Sequence, residues 1–326
     1  MAILTGRPGP GTSPPPADLS STGRFGDRVF HGLSTGSGIV VIGLVTAVGA
    51  FLLAQALPAL VRNDANFLTD RVWQVDGDPL RFGIPDLLWV TVISSLVAMV
   101  IALPVAIGVA LYLTEYAPPR LARPFAYLVD LLAAVPSIVY GLWGATIIIT
   151  YVAPVQTFLG SVLGWIPLFS TENAITGTIF LASIVLAVMI LPIITAISRE
   201  VFAQTPLTHK EGALALGATR WEMIRTTVLP FGTPGTISAA MLGLGRALGE
   251  TIAVSLIMGT TNGAFSWSLF SGGETFASRI ANNAQEFDTP TKAGAFIAAG
   301  LVLFVLTFVV NAMARVVIER RKAFAE

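Results

Sequence analysis

The sequence contains no cysteine and only two histidines, His31 and His209. The first absence removes disulfides, thiolate catalysis and Cys-rich metal sites. The two histidines lie far apart in the chain and both read as surface residues, so no metal site is proposed. Charge is scarce as well. Asp, Glu, Lys and Arg make up 12% of the 326 residues, against about a quarter in an ordinary soluble domain, and 19 basic residues balance 19 acidic ones. A neutral chain has no overall attraction for nucleic acid. Residues 6–12 read G-x-x-x-x-G-T but lack the lysine and the strand-loop-helix setting of a phosphate-binding loop, so the chain is expected to hydrolyse nothing itself.

Apolar residues are in excess, at 54% with a mean hydropathy of +0.77, and this composition belongs to a polytopic membrane protein. A bilayer core of about 30 Å takes about 20 helical residues to cross. Apolar runs of that length predict six transmembrane helices, at 38–60, 87–113, 126–153, 174–198, 237–258 and 293–317. Pro104, Pro136 and Pro192 fall inside these runs and are expected as kinks. Residues 1–23 are rich in Gly, Pro, Ser and Thr and are expected to form a disordered tail. Residues 24–37 interleave Phe25, Val29, Phe30 and Leu33 with Arg24, Asp27 and Arg28, which fits either an interfacial helix or a loosely structured lead-in to the permease domain at 38–326.

Orientation follows from where Lys and Arg collect. One side holds Arg7, Arg24, Arg28, Arg120, Arg123, Arg199, Lys210, Arg220, Arg225, Arg315, Arg320, Arg321 and Lys322. The other holds Arg62, Arg71, Arg81, Arg279 and Lys292 among several acidic residues. Both termini are therefore expected in the cytoplasm, with external connections at 61–86, 154–173 and 260–292.

The longest cytoplasmic connection, 199–236, carries the clearest local signals. Thr205-Pro206 reads as a helix start and Gly217 as a left-handed helix end. Thr219-Arg220-Trp221-Glu222 has the spacing of a capping box, and Pro230 is expected to stop the second helix. Leu207, Ala213 and Leu214 are expected to face inward, and Lys210, Glu211, Arg220 and Arg225 to stay wet. In the next apolar run, Arg246 and Glu250 stand at i,i+4, and Gly245 and Gly249 form G-x-x-x-G, a spacing that allows close helix approach. Charges in a spanning helix cost about 2.5–3.5 kcal/mol each on insertion scales and mark a pathway or an interhelical lock. A planar guanidinium suits bidentate contact with an oxyanion, and Glu250 can hold it when no anion is present. The residues alone leave the pathway and the packing lock equally open. Glu115 is expected to be a solvated loop charge, and Asp130 is given no transport role.

Glu211-Gly212-Ala213, three residues, Gly217, nine residues, then Thr227-Val228-Leu229-Pro230 resembles the EAA loop of ABC importer permeases, E-A-A-x3-G-x9-I-x-L-P, departing at Gly212 and Thr227. The string from Asp130 to Gly144, DLLAAVPSIVYGLWG, and that from Gly243 to Val254, GLGRALGETIAV, are similar to the phosphate branch of that family and to its PstC type. The resemblance implies an all-α membrane protein of type I ABC importer permease architecture, six transmembrane helices with a cytoplasmic coupling helix. It implies a non-enzymatic subunit of an ATP-driven phosphate importer in the bacterial inner membrane. Glu211, Gly212, Ala213, Gly217, Leu229 and Pro230 would couple it to an ATPase, and Arg246 and Glu250 would line the substrate path. Implied partners are a PstA-like permease, a PstB-like ATPase dimer that carries ATP and Mg, and a PstS-like external phosphate-binding protein; no cofactor is expected in this chain. A permease for sulfate or molybdate, a PstA-like partner, and a secondary transporter or channel remain alternatives.

Overall fold

The computed structural model describes residues 25–171, 177–259 and 265–322, so the expected tail at 1–23 lies outside the described residues. The chain divides into a unit of residues 1–50 and a unit of residues 51–326. The first contributes the opening turns of α1 (Phe25–Arg62), whose side chains there are almost all exposed. Residues 25–37 are part of this helix.

The second unit is almost wholly helical. After α1 come a hairpin of β1 (Trp73–Gln74) and β2 (Arg81–Phe82), then α2 (Pro85–Leu111), which ends in a π-helical turn at Tyr112–Tyr116. Next are α3 (Pro119–Ala133), α4 (Ser137–Trp143), a π-helical turn at Gly144–Ile148, and α5 (Ile149–Leu163). Then follow α6 (Ile179–Ala203), α7 (Leu207–Ala215), α8 (Arg220–Met223), a third π-helical turn at Ile224–Val228, and α9 (Leu229–Leu248). The chain closes with α10 (Ile252–Ile257), α11 (Phe276–Asn282) and α12 (Pro290–Lys322). Among the described residues five helical runs are long and apolar enough to cross a membrane: Gly26–Arg62, Pro85–Tyr116, Ser137–Leu163, Ile179–Ala203 and Pro290–Val316.

The core forms around α6. Its side chains are apolar on nearly every face, as a fully buried helix requires, and Ile179, Leu181, Leu186, Met189, Ile190, Ile194 and Phe202 are at most 1% exposed. The helices against it present small residues. On α2, Ala98, Ala102, Ala106 and Ala110 recur every four residues and are fully buried. On α9 the buried positions are Gly232, Thr236, Ala239, Gly243, Ala247 and Leu248. A Cβ built on Gly232 would lie 2.5 Å from the Phe202 ring, and one on Gly243 would lie 2.8 Å from Ile194 Cδ1. In lipid the tails are as apolar as the side chains, so helices associate by close packing of this kind.

Three expectations change. The run at 126–153 is not one kinked helix: α3 ends at Ala133, Pro136 is extended, and α4 starts a new helix. Proline lacks an N–H and pushes the residue before it out of the helical region. The span therefore begins at Ser137, and α5 carries it past Pro154 to Leu163, so the following connection is shorter than expected. The run at 237–258 is divided in turn, because α9 stops at Leu248 and α10 starts at Ile252. The close-approach glycine is Gly243, since a Cβ on Gly245 would meet nothing within 4 Å and one on Gly249 only the Gly245 carbonyl.

This packing predicts opposite outcomes at two neighbouring glycines. Gly243→Val should destabilise the isolated chain in detergent by about 1–3 kcal/mol through overpacking, whereas Gly245→Ala, a helical position with open space, should hold or slightly raise its thermal midpoint. Equal midpoints for the two variants would contradict the assigned contact face.

Candidate functional site

Two sites take shape, one at the end of the bundle that carries α7 and one at the break between α9 and α10. At the α7 end the chain leaves α6 through Thr205-Pro206. Pro206, extended at φ −57° and ψ 132°, is the residue before α7, so Thr205 is not the cap; its hydroxyl is buried without a partner. Gly217 has φ +87° and ends the segment as expected. Thr219 starts α8 with a complete capping box, its Oγ1 accepting from the Glu222 N–H at 3.3 Å while Glu222 Oε2 accepts from the Thr219 N–H at 2.8 Å. The helix does not stop at Pro230. The π-helical turn at Ile224–Val228 leads straight into α9, with Pro230 in its first turn, where a missing N–H costs little.

Two of the three residues expected to face inward here, Leu207 and Leu214, face out instead. Leu207 is 71% exposed, Leu214 43% and Leu216, beside the Gly217 turn, 92%, with Trp221 at 57%. Glu211, Gly212, Arg220 and Arg225 are also exposed, and Gly212 has open space where a Cβ would stand. Lys210 turns inward instead. Its Nζ donates to Glu115 Oε1 at 2.6 Å, and the Glu115 side chain, expected in solvent, is only 7% exposed. Ala213 and Leu229 pack on a cluster of Ala110, Leu111, Phe202, Met223, Ile224 and Val228. An exposed cluster of leucines beside wet charges is the character of a docking surface.

At the second site, Arg246 occupies the last turn of α9 and Glu250 precedes α10. Glu250 is 8% exposed, and its Oε1 accepts the Ala253 N–H at 3.1 Å, capping α10. The two charges do not form the expected i,i+4 pair, because the helix is interrupted at residues 249–251 and their groups make no ion pair within 4.0 Å. Each is accommodated by a helix end: a cation is favourable where carbonyls are unsatisfied and an anion where N–H groups are. Among the described residues Arg246 has no hydrogen-bond or ion-pair partner. Tyr140 is 7% exposed and its hydroxyl donates to the Leu132 carbonyl at 2.8 Å, across the α3–α4 break. Gly141 lets α4 approach α10 closely, for a Cβ there would stand 2.7 Å from the Ala253 Cα. Asp130 pairs with Arg199 at 3.4 Å.

Residues 102–323 match the family model described as the inner membrane component of binding-protein-dependent transport systems. The chain belongs to this family. Its relatives within it include a Mycobacterium tuberculosis protein named phosphate transport system permease protein PstC 2, 53% identical over 298 residues that cover 90% of this chain and 92% of the relative. A Mycobacterium leprae protein named phosphate transport system permease protein PstC is 53% identical over 309 residues, covering 93% and 97%. In fold, the chain is similar to a chain of the MetNI methionine ABC transporter solved in inward-facing form, with TM-score 0.52 at 16% identity, covering 72% of this chain and 94% of that one. A family member of this kind is a transport subunit embedded in a membrane, in keeping with the five apolar helical runs.

Sequence reasoning missed Glu115, Tyr140 and the inward turn of Lys210. A carboxylate at the end of an alanine stripe is a weak signal for burial, and nothing local joins residues 95 positions apart.

The capping box has a pH signature. Hydrogen bonds from the Thr219 N–H and then its hydroxyl hold the Glu222 carboxyl below the usual glutamate range. A lowered folded pKa stabilises above the unfolded value, and that contribution is lost as pH falls through the folded value. Amide protection at Thr219 and Glu222, corrected for intrinsic exchange, should exceed that of Glu222→Ala at neutral pH and converge with it in acid. A gap independent of pH would count against the cap.

Proposed function

We propose that this chain is the membrane-spanning permease subunit of an ATP-driven importer of inorganic phosphate, forming half of the translocation path. The observation that carries the reading is Arg246, a guanidinium unpaired among the described residues at an interrupted helix, in a chain that shares half its residues over nine-tenths of its length with proteins named as phosphate permeases. Interrupted helices place helix ends and free polar groups where an ion must be held inside a membrane. Arg246 offers planar donors to the oxyanion. Glu250 keeps one carboxylate oxygen on the α10 cap, and its second is the natural acceptor for the proton that phosphate carries and sulfate lacks.

The distribution of basic residues supports a cytoplasmic α7 end and cytoplasmic termini in a bacterial inner membrane. The chain then crosses six times, with α9 and α10 together supplying the interrupted fifth crossing. The exposed leucines of α7 and the Gly217 turn dock a PstB-like ATPase dimer, which binds ATP and Mg, while this chain holds no cofactor. Glu211, Gly212, Ala213, Gly217, Leu229 and Pro230 form or support that coupling segment. A PstA-like permease completes the path, and a PstS-like protein delivers phosphate from outside. ATP binding shifts the outward- and inward-facing populations through its different affinity for the two.

Replacing Gly217 by valine places a β-branched residue at φ +87°, at a cost of about 1–2 kcal/mol or more. The variant should insert into the membrane yet lose ATP-driven phosphate uptake and co-purification of the ATPase. Normal uptake would refute the docking assignment. For the path, Arg246→Gln should abolish uptake with the complex intact, and sulfate should compete better in Glu250→Gln than in the natural protein. Equal exclusion of sulfate by both would move selectivity away from Glu250.

A further inference from the structure

Lys210 meets a partner that the coupling segment does not itself contain. The ion pair with Glu115 is 2.6 Å long, with the lysine side chain 14% exposed and the glutamate 7%. Arg220 reinforces the same point, donating from Nη1 to the Glu115 carbonyl at 3.3 Å with its guanidinium 5.9 Å from the Tyr116 ring centre. Removing one partner of a buried pair leaves an uncompensated charge, so such a pair holds one relative position strongly. Glu115 owes its place to the π-helical turn at Tyr112–Tyr116. An i→i+5 turn adds a residue to the helix register, so Glu115 continues the face of Ala98, Ala102, Ala106 and Ala110.

The same helix is anchored at its other end. Thr91 Oγ1 accepts the Phe276 N–H at 3.1 Å, and a Cβ on Gly273 would stand 2.7 Å from Val90 Cγ2. Between these anchors the alanine stripe of α2, buried against α6, leaves α2 little freedom to turn independently. We propose that the Glu115–Lys210 ion pair is the joint that makes α2 follow the α7 segment, so that movement of a docked ATPase reaches residues 273–276 at the opposite end of the bundle. This rests on the docking role proposed above for α7. Glu115 and Lys210 are positioning residues in it and touch neither phosphate nor nucleotide.

The test is inorganic phosphate imported per ATP hydrolysed, in proteoliposomes holding the full complex with its binding protein. Glu115→Gln and Lys210→Gln should each retain the ATPase through purification and continue to hydrolyse ATP, yet import about tenfold less phosphate per ATP. The double variant should be no worse than either single one, because both remove the same interaction, and Lys210→Arg should stay near the natural ratio. Unchanged ratios in the single variants, or losses that multiply in the double, would overturn the joint. So would loss of the ATPase from Lys210→Gln, which would make Lys210 a docking contact. Should Glu115→Gln fail to insert, Lys210→Gln and Lys210→Arg decide the matter by the same ratio. A natural complex that never retains the ATPase defeats the docking reading instead, and the joint with it.

Discussion

The large side chains of α6 are held between two helices that have almost no side chains where they touch it. Ala98, Ala102, Ala106 and Ala110 form one wall, and Gly232, Ala239 and Gly243 form much of the other. Lipid gives helices no hydrophobic reason to associate, so the contact must be close enough for dispersion to hold it. Everything functional hangs from this clamp. It seats Phe202 at the α7 end, where the cluster under α7 forms, and it seats Ile194 against Gly243, one turn before Arg246.

Irregular backbone, the π-helical turn at Gly144–Ile148 apart, gathers at the same two places. The π-helical turns at Tyr112–Tyr116 and Ile224–Val228 flank the α7 segment, and the interruption at residues 249–251 separates Arg246 from Glu250. Each irregularity resolves a specific conflict. The turn before Pro230 lets a proline enter a continuing helix, and the gap after Leu248 gives Arg246 and the buried Glu250 each a helix end of favourable sign. The bundle therefore carries these two ionised groups without pairing them with each other.

Much of the molecule was legible because its causes are local. Apolar runs reveal that the chain crosses a membrane, the left-handed turn at Gly217 follows from glycine's missing Cβ, and the Thr219–Glu222 cap follows from a spacing of three residues. The reading failed where local signals were extended to partners. Gly245 and Gly249 have the better-known spacing, yet Gly243 makes the close contact; Pro136 was expected to kink a helix that it divides.

The sequence by itself determined membrane residence, the short elements of the α7–α8 connection, and the family through motifs of nearly contiguous residues. Tertiary structure alone decided which face of α7 is buried, that Lys210 seeks Glu115 rather than water, and that Arg246 and Glu250 stand apart. The reason is one of range. Caps, turns and span lengths arise from hydrogen bonds and backbone conformations within a few residues, whereas the fate of a charge depends on which distant helix closes over it. Here that helix is α2, whose alanine face lets it lie against α6 and bring Glu115 over Lys210.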